Sequence, residues 1–334
     1  MALIKEVARQ AGVSPSTVSR VLNGSAGVSP AKEAKVRAAV EALNYIPNSV
    51  AKSLKLGKSN TIAILIPNIN NLVYPEIVRG IEDCARENGY TVILCNTSED
   101  MEQEKNYVQT LLNRQVDGMI VASYTEKHRH IDELNKRQFP IVLALRGKDE
   151  SFNTVGVDNA HWAYQAVRYL LEQGHRNVAI AVGDLGVRLY QQRLEGYKKA
   201  LAEYGIPFDE DYLIYDQVGP DSVYDGVCGL VKSGRKVDAI FTSNDYRAFV
   251  ALSALKELGV RVPGDISVMG FDGVRMSALV SPTLSTVQQP MYQIGEKAMK
   301  RLVAMIQAEK PLKPELRQLK ANLLIRESTK SRER

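Results

Sequence analysis

A cluster of hydroxyl side chains and one arginine lies near the start of the sequence, in the stretch SPSTVSRVLN. If this stretch is helical, its valines turn inward and its polar side chains share the outer face: Ser16, Thr17, Ser19 and Arg20. Hydroxyl and guanidinium groups can hydrogen-bond to the edges of bases, and arginine commonly binds guanine through two acceptors. The chemistry that this face predicts is recognition of a nucleic acid.

The elements around this face are helices with clear start and stop residues. Ser14 can cap the helix, and Pro15 fits its first position, where the missing N–H costs nothing. Apolar residues at i, i+3, i+4 and i+7 from Ile4 predict a preceding helix that Gly12 ends. A helix, a short turn and a second helix with a polar face form a helix-turn-helix, in which the start of the second helix meets base edges.

The pentapeptide AGVSP occupies residues 11–15, at the turn before the second helix, and occurs again at residues 26–30. The second copy predicts the start of a third helix. Ser29 is expected to cap this helix and Pro30 to follow, with Val36, Val40 and Leu43 on the inner face. The outer face is basic and suited to phosphate contacts: Lys32, Lys35 and Arg37.

Positive charge is concentrated in this part of the chain. The first 60 residues contain nine lysines and arginines against three glutamates, a net charge of +6, while the remaining residues carry −1. This asymmetry indicates a small module that binds a polyanion, attached to a neutral body. A helical pair that binds protein is the alternative, and the hydroxyl-rich second helix favours DNA over it.

The stretch YIPNSVAKSLKLGKSN, residues 45–60, joins the two parts. Asn48 can cap a helix of about nine residues, which is too short to be stable alone in water. Val50, Ala51 and Leu54 form its apolar stripe. The stretch is either a plain linker or a segment that folds on its target and presents an apolar wedge flanked by lysines.

From residue 61 the sequence alternates short apolar runs with helical patterns. Eight such runs predict strands: TIAILIP (61–67), TVILCN (91–96), VDGMIVAS (116–123), FPIVLAL (139–145), TVGVDN (154–159), NVAIAVG (177–183), VDAIFTSN (237–244) and DISVMGFDG (265–273). Such alternation predicts an α/β body with parallel sheets covered by helices, and two sets of strands predict two Rossmann-like subdomains with a cleft between them. Ligands in these folds bind beyond the carboxyl ends of the strands. Polar residues that fit a small hydroxylated ligand, or that simply cap the next helix, follow those ends: Asn68, Asp158, Asn159, Asn244, Asp245 and Asp272.

The sequence gives little support to an enzyme, a membrane protein or an exported protein. It contains no GxSxG, P-loop or HExxH motif, so we expect no catalytic residue and no cofactor. His128 and His130 lie in a charged run, EKHRH, which predicts a solvated helix face and no metal site. No apolar run reaches the ~18 residues of a membrane helix. The charged N-terminus and three cysteines without CxxC spacing predict a cytoplasmic protein.

Two stretches of the N-terminal part, IKEVARQAGVSPSTVSRVLNG and LNYIPNSVAKSLK, closely resemble the head of the lactose/galactose-repressor (LacI/GalR) family. In that family the second helix enters the major groove of each half-operator, and paired hinge helices drive a leucine into the minor groove. The resemblance implies that Ser16 and Arg20 read bases, that Pro15 lies among them without a donor, and that Leu54 is the wedge. The other DNA-binding positions that it implies are Ser14, Thr17, Ser19, Asn23, Asn48 and Lys55.

The resemblance continues to about residue 328, through stretches such as RGIEDCARENGY (79–90), NDYRAFVAL (244–252) and VPGDISVMGFDG (262–273). It implies a body like the periplasmic sugar-binding proteins, with chain crossovers near residues 160, 288 and 318. In sugar-responsive members, the positions that match Arg193, Asn244 and Asp272 hold the hydroxyls of the ligand. The family also has an aromatic ligand-binding segment early in the body, which corresponds here to NNLVY (70–74), and Tyr74 is the aromatic residue that this sequence retains.

Two positions depart from the pattern of the family. Leu145 stands where an aspartate is usual, and Val218 stands where many members have an aromatic residue that stacks on the ligand. Members of the catabolite-control branch respond to a phosphoprotein, and the RGIED and PMYQIGEKAM stretches are similar to theirs. That branch usually has an arginine where Ile46 stands. Regulation by a phosphoprotein corepressor is therefore the second hypothesis, after regulation by a sugar.

The sequence therefore predicts a helix-turn-helix head (1–46), a hinge helix and linker (47–60) and an α/β body (61–330). The N-subdomain of the body is expected at about 61–159 plus 288–318, and the C-subdomain at about 160–287 plus 319–330. We expect a bacterial, cytoplasmic, nucleoid-associated homodimer on a pseudo-palindromic double-stranded DNA operator, regulated by a sugar or sugar derivative in the cleft. A sugar-binding transport receptor is a weaker alternative, because it has no use for a basic head.

Overall fold

The computed structural model describes residues 3–22, 27–45, 58–125, 127–147, 149–216 and 220–330. The chain divides into two units, Met1–Ser59 and Asn60–Arg334. Several residues to which the sequence assigns a role lie outside the described residues: Asn23, Ile46, Asn48, Val50, Ala51, Leu54, Lys55 and Val218.

The first unit contains three described helices: α1 (Ile4–Ala11), α2 (Pro15–Leu22) and α3 (Pro30–Ala42). The apolar positions that the helical periodicity selected form its core: Val7, Ala8, Ala11, Val18, Val21, Val36 and Ala39. Gly12 ends α1 in the left-handed region, with φ at 67°, as predicted. This small core fixes α2 against the other two helices and leaves its polar face outside.

The two expected helix caps behave differently. Ser14 Oγ accepts a hydrogen bond from the backbone N–H of Thr17 at 3.3 Å, so the predicted cap of α2 is confirmed. Ser29 occupies the cap position of α3, but its side chain makes no cap hydrogen bond, and this part of the prediction is wrong. Ser29 is exposed, so water can satisfy the N–H groups at this helix start.

The second unit is built on twelve strands among its described residues. In chain order they are β1 (Thr61–Ile66), β2 (Thr91–Asn96), β3 (Gly118–Val121), β4 (Ile141–Ala144), β5 (Asn153–Gly156), β6 (Val178–Val182), β7 (Leu213–Tyr215), β8 (Ala239–Thr242), β9 (Ser267–Asp272), β10 (Ser285–Gln288), β11 (Leu316–Gln318) and β12 (Asn322–Leu324). They form two sheets, with the orders β11-β5-β4-β3-β1-β2 and β12-β10-β9-β8-β6-β7. Neighbouring strands are parallel, except that β12 runs antiparallel to β10.

Eight described helices connect the strands and cover the sheets: α4 (Tyr74–Glu87), α5 (Met101–Asn113), α6 (Arg129–Lys136), α7 (Asn159–Glu172), α8 (Arg188–Glu203), α9 (Pro220–Lys232), α10 (Asp245–Glu257) and α11 (Met291–Gln307). The central strands are apolar on both faces because helices cover both, as in β1 and β4. α4 and α11 touch backbone to backbone. A Cβ on Gly80 would lie 2.1 Å from the carbonyl oxygen of Tyr292, and a Cβ on Gly295 would lie 2.0 Å from that of Ile77.

The predicted fold class is confirmed: a helical head and an α/β body with two doubly wound parallel sheets. In each sheet the order in which strands are added reverses beside the first strand. The reversal falls between β1 and β3 in the first sheet and between β6 and β8 in the second. Ligands bind at such switch points, beyond the carboxyl ends of the strands. No helix in the described part of the chain is long and apolar enough to cross a membrane.

Candidate functional site

Arg193 lies at the carboxyl edge of the second sheet and contacts residues from several elements. Its Nη1 lies 3.6 Å from Asp272 Oδ1 at the end of β9, and its guanidinium stacks 3.7 Å from the ring centre of Phe271. Its Nε donates to Asn159 Oδ1 at 3.0 Å, and its Nη1 donates to the carbonyl oxygen of Ser243. These contacts fix the position of the Arg193 guanidinium and the direction of its N–H groups at the edge of the sheet.

The Arg193–Asp272 pair is almost completely removed from water, with 3% and 5% of the two residues exposed. Burial raises the pKa of Asp272 to about 7, although the Arg193 charge and a hydrogen bond from Gln289 Nε2 at 2.8 Å act in the opposite direction. Burial also lowers the pKa of Arg193. The pair therefore does not fully replace the water that each charge has lost, and a polar ligand would improve its solvation.

A second arginine, Arg247 on α10, lies at the same edge. Its Nη2 is 2.7 Å from Asp216 Oδ2, and its Nη1 donates to the Tyr190 hydroxyl at 3.3 Å. Sequence reasoning missed Arg247 and Tyr190. The signal was available, because Tyr190 precedes Arg193 and Arg247 follows Asn244 by three residues, one helical turn in each case.

The first sheet contributes Tyr74 and Arg146 to this region. Arg146 is buried, pairs with Glu99 at 3.0 Å and donates to the carbonyl oxygen of Ser123 at 3.3 Å. Tyr74 is buried at the start of α4, and burial raises the pKa of its hydroxyl. This hydroxyl interacts electrostatically with Arg146, and also with Tyr190 and Asp272 of the second sheet.

Asn244 and Asp245, which follow β8, have structural tasks. Asn244 caps α10, because its side-chain oxygen accepts from the Arg247 backbone N–H at 2.8 Å. Asp245 is fully buried and accepts from Ser277 Oγ at 2.6 Å, Thr286 Oγ1 at 2.5 Å and the Val274 backbone N–H at 2.9 Å. The helix-cap alternative is therefore correct for Asn244, whereas Asp245 ties three segments together.

The polar residues that follow the earlier strands also divide into residues that bond to the local backbone and residues that contact Arg193. Asp158 caps α7 by accepting from the His161 backbone N–H at 2.9 Å, and Asn68 accepts from the Asn70 backbone N–H at 2.9 Å. Asn159, in contrast, reaches Arg193 and borders a cavity of about 250 Å³ that Leu145 and Gln192 also line. Of the six polar residues that follow strand ends, Asn159 and Asp272 contact Arg193.

The outer face of α2 carries the side chains that the sequence assigned to DNA. Ser14, Pro15, Ser16 and Arg20 are exposed, whereas Thr17 and Ser19 are half-buried. Ser14 Oγ lies 2.8 Å from Ser16 Oγ and 2.9 Å from Thr17 Oγ1. On the exposed face of α3, Arg37 pairs with Glu33 at 2.6 Å, so phosphate contacts there would depend mainly on the lysines.

The prediction of a solvated face for His128 and His130 is wrong. Their side chains are only 10% and 16% exposed, and both face the carboxylate of Glu104. The charged residues around them suggested exposure, but His128 directly precedes α6 and its ring packs edge-on against Tyr124, with the ring centres 5.9 Å apart.

A helix-turn-helix unit linked to a two-sheet body with a polar cluster at its switch points defines a ligand-responsive DNA-binding regulator rather than an enzyme. Residues 3–48 match the sequence model described as bacterial regulatory proteins, lacI family. Residues 59–329 match the one described as periplasmic binding proteins and sugar binding domain of LacI family. The chain therefore belongs to the LacI family of transcription regulators.

Individual relatives agree with this assignment. Catabolite control protein A of Priestia megaterium is 37% identical over 98% of this chain and 99% of its own length. The ribose operon repressor of Halalkalibacterium halodurans is 36% identical over 100% and 98%. The structure of the lac repressor dimer bound to operator and the anti-inducer ONPF is similar to this chain with a TM-score of 0.87 at 28% identity, covering 98% of this chain and 99% of that one.

Proposed function

We propose that the protein is a homodimeric repressor whose affinity for a pseudo-palindromic operator is set by a sugar or sugar derivative bound beside Arg193 and Asp272. The observation that carries the effector assignment is the buried, incompletely solvated Arg193–Asp272 pair at the carboxyl ends of the second sheet. Tyr74 supports the proposal from the first sheet, since its hydroxyl interacts with Asp272.

The chemistry of the cluster suits vicinal hydroxyl groups. A guanidinium donates through a fixed fork, a carboxylate accepts, and an amide such as that of Asn244 can do both. A ligand hydroxyl that donates to Asp272 would favour its charged form and so offset part of the cost of burial. The sugar-binding description of the matching family model and the ribose operon repressor among the relatives support this ligand class.

The effector proposal is tested by a thermal-shift screen of the full chain with pentoses, hexoses, their phosphates and nucleobases. A ligand at 100 times its Kd adds about 2.7 kcal/mol of stability, which raises the melting temperature measurably. We expect a sugar or sugar derivative to shift the wild type and not Arg193→Gln. Arg168→Gln is the matched control, because Arg168 pairs on the surface with Glu172 of the same helix. A shift that survives in Arg193→Gln would overturn the site.

The DNA side of the proposal rests on the exposed face of α2. Pro15 has neither an N–H nor a side-chain donor, so base reading depends on Ser16 and Arg20, with Ser14, Thr17 and Ser19 around them. Asn23, Asn48, Leu54 and Lys55 keep the DNA-binding roles that the sequence predicts. Selection of binding sites from random duplex DNA, followed by footprinting, is expected to give two inverted half-sites. An asymmetric single site would contradict the dimeric arrangement.

Exposed apolar side chains of the body support the dimer. Tyr246, Met276 and Leu279 are 51%, 44% and 69% exposed and lie on segments that Asp245 ties together, through its bonds to Ser277 and Val274. We infer that these three exposed apolar side chains face a subunit interface, because apolar side chains gathered on one surface mark sites of protein association. Leu279→Lys is therefore expected to shift the protein from dimer to monomer in light scattering, whereas Leu312→Lys, also exposed but elsewhere in the sequence, is not.

A phosphoprotein corepressor is the second candidate, and one contact favours it. The RGIED and PMYQIGEKAM stretches meet in the structure, where the Tyr292 hydroxyl donates to Asp83 at 3.1 Å and Arg79 lies 5.2 Å from the Tyr292 ring. Arg79 is 63% exposed and could pair with a phosphate. Operator binding that is tightened by a purified phosphorylated protein, lost after phosphatase treatment and lost in Arg79→Ala, would establish this candidate over the sugar.

A further inference from the structure

Glu104, His128 and His130 bring three side chains with metal-binding chemistry together in the first sheet's helical layer. Glu104 lies in the first turn of α5, His128 directly precedes α6 and His130 is its second residue. Glu104 Oε1 lies 2.7 Å from His128 Nδ1 and 2.8 Å from His130 Nε2. One potential ligand atom from each residue lies within 4.8 Å of the other two.

The cluster is buried and incompletely satisfied. Glu104 is 1% and His128 8% exposed. The contact of His128 Nδ1 with the carboxylate lacks the direction of a hydrogen bond, and His130 Nδ1 has no hydrogen-bond partner among the described residues. Buried polar atoms normally find partners. His128 Nδ1 therefore lies in the cluster, close to the Glu104 carboxylate, without making a well-directed hydrogen bond.

The carboxylate of Glu104 is held in one orientation by contacts with three side chains: Ser123, His128 and His130. Ser123 Oγ donates to Oε2, which leaves Oε1 toward the two imidazoles. Groups that orient a metal ligand in this way are a regular part of metal sites.

We propose that Glu104, His128 and His130 form a binding site for a divalent transition-metal ion such as Zn²⁺. The ligands would be Glu104 Oε1, His128 Nδ1 and His130 Nε2, with water in the fourth position of a tetrahedron. A proton on either ligating nitrogen moves to the opposite ring nitrogen or to solvent when the ion binds. Two imidazoles with one carboxylate suit zinc and its neighbours in the first transition row, and they do not suit magnesium or calcium.

The geometry needs only a small adjustment to accept the ion. Zinc binds nitrogen and carboxylate oxygen at about 2.0–2.2 Å, so tetrahedral ligand atoms lie roughly 3.3–3.5 Å apart. The oxygen–nitrogen pairs that are now 2.7 and 2.8 Å apart must therefore separate by about 0.5–0.8 Å, and the two imidazole nitrogens, which lie within 4.8 Å of each other, must reach the same spacing. Rotation of two imidazole rings can supply this shift.

The test measures metal binding to the full chain after treatment with EDTA, by calorimetry with Zn²⁺ and by the visible spectrum with Co²⁺. We expect one tight ion per chain and a Co²⁺ spectrum of nitrogen and oxygen ligands. Glu104→Gln and His130→Asn should each weaken binding by about 100-fold or more, and Ser123→Ala by about tenfold, because it only orients a ligand. His161→Asn is the matched control, since His161 is exposed and outside the cluster.

Three outcomes would overturn the proposal. The first is no tight Zn²⁺ binding, and the second is unchanged affinity in His130→Asn, with circular dichroism in EDTA confirming that the variant is folded. The third is a thiolate-to-cobalt charge-transfer band, which would assign the ion to a cysteine: Cys84, Cys95 or Cys228. The Co²⁺ spectrum of the unmutated protein decides the matter even if the substitution at buried Glu104 prevents folding.

Discussion

Arg193 and Asp272 face each other at 3.6 Å in a region from which water is almost excluded, and both are shifted toward their neutral forms by burial. An ion pair that satisfied itself would show the opposite shifts, because each charge would stabilise the other. The pair also carries a backbone contact to Ser243 and a stacked ring, Phe271, which fix the arginine. The pair is therefore a rigid polar site whose two charges are incompletely solvated, and a polar ligand could supply the missing hydrogen bonds.

Breaking this pair is expected to destabilise the body. Arg193→Gln should lower the free energy of unfolding by about 3 kcal/mol, because it leaves a buried carboxylate without its counter-charge. Adding Asp272→Asn to that variant should recover at least about 1 kcal/mol, because residues in contact are not additive. Urea unfolding of the wild type, both single variants and the double variant measures this. Strict additivity would show that the two charges do not interact.

The pKa of Asp272 predicts an unusual pH dependence. Its folded-state pKa of about 7 lies above the unfolded value, so folding takes up a proton between about pH 4 and pH 7. The contribution of Asp272 to the free energy of unfolding must therefore fall as the pH rises through this window, by up to about 1.4 kcal/mol per pH unit. Asp272→Asn removes this contribution. Urea midpoints measured at pH 5, 6, 7 and 8 should fall with rising pH more steeply for the wild type than for the variant; parallel curves for the two proteins would contradict the shift.

The crossing of α4 and α11 predicts strong sensitivity at its glycines. Gly80→Ala should lower the free energy of unfolding by about 2 kcal/mol or more, because its Cβ would overlap the Tyr292 carbonyl oxygen at 2.1 Å. Gly229→Ala is the matched control: this helical glycine has no heavy atom within 4 Å of an added Cβ. It should gain roughly 0.5–1 kcal/mol, as alanine favours the helix. Equal effects of the two changes would show that the close crossing is not a constraint.

The two AGVSP repeats predict different responses to the same substitution. Ser14→Ala removes the cap hydrogen bond of α2 and should cost about 1 kcal/mol of local stability. Ser29→Ala removes no side-chain cap bond and should change stability by less than about 0.5 kcal/mol. Hydrogen exchange of the amides in α2 and α3 measures both. Loss of protection in α3 equal to that in α2 would contradict the difference in capping.

Operator recognition should distinguish the two faces of the head. Arg20→Ala is expected to cost ~1–3 kcal/mol in operator affinity and to relax preference at one base position. Lys35→Ala, on the exposed face of α3, should weaken binding evenly across sequences and reduce its salt dependence. Fluorescence anisotropy with the selected operator and its single-base variants separates these outcomes. If both changes alter sequence preference in the same way, Arg20 does not read a base.

The sequence patterns predicted the long elements better than the short ones. Eight strands with apolar runs, from TIAILIP to DISVMGFDG, lie where periodicity indicated them, because burial on both faces leaves a clear apolar signature. β7, β10, β11 and β12 have three or four residues each and were not predicted. β11 consists of Leu316, Arg317 and Gln318, all exposed, so only its pairing with β5 defines it as a strand.

The candidate site was predictable in part for a similar reason. Asp272 and Asn159 stand at strand ends, where the fold class itself places ligand-binding groups. Asn244 stands at such an end too, and it was found by position although its side chain caps a helix. The cluster of Glu104 with two histidines could not be predicted from the sequence, because it depends on the packing of α5 beside the start of α6, and His130 lies 26 residues after Glu104.

The late position of β11 and β12 has a consequence for synthesis of the chain. Synthesis is N-terminal first, and each of the two sheets receives an edge strand from residues 316–324, which follow all the other described strands. While the ribosome is still adding these residues, β5 and β10 each have one open edge. A chain truncated at residue 310 would lack a strand in both sheets at once, so a short C-terminal segment completes both halves of the body.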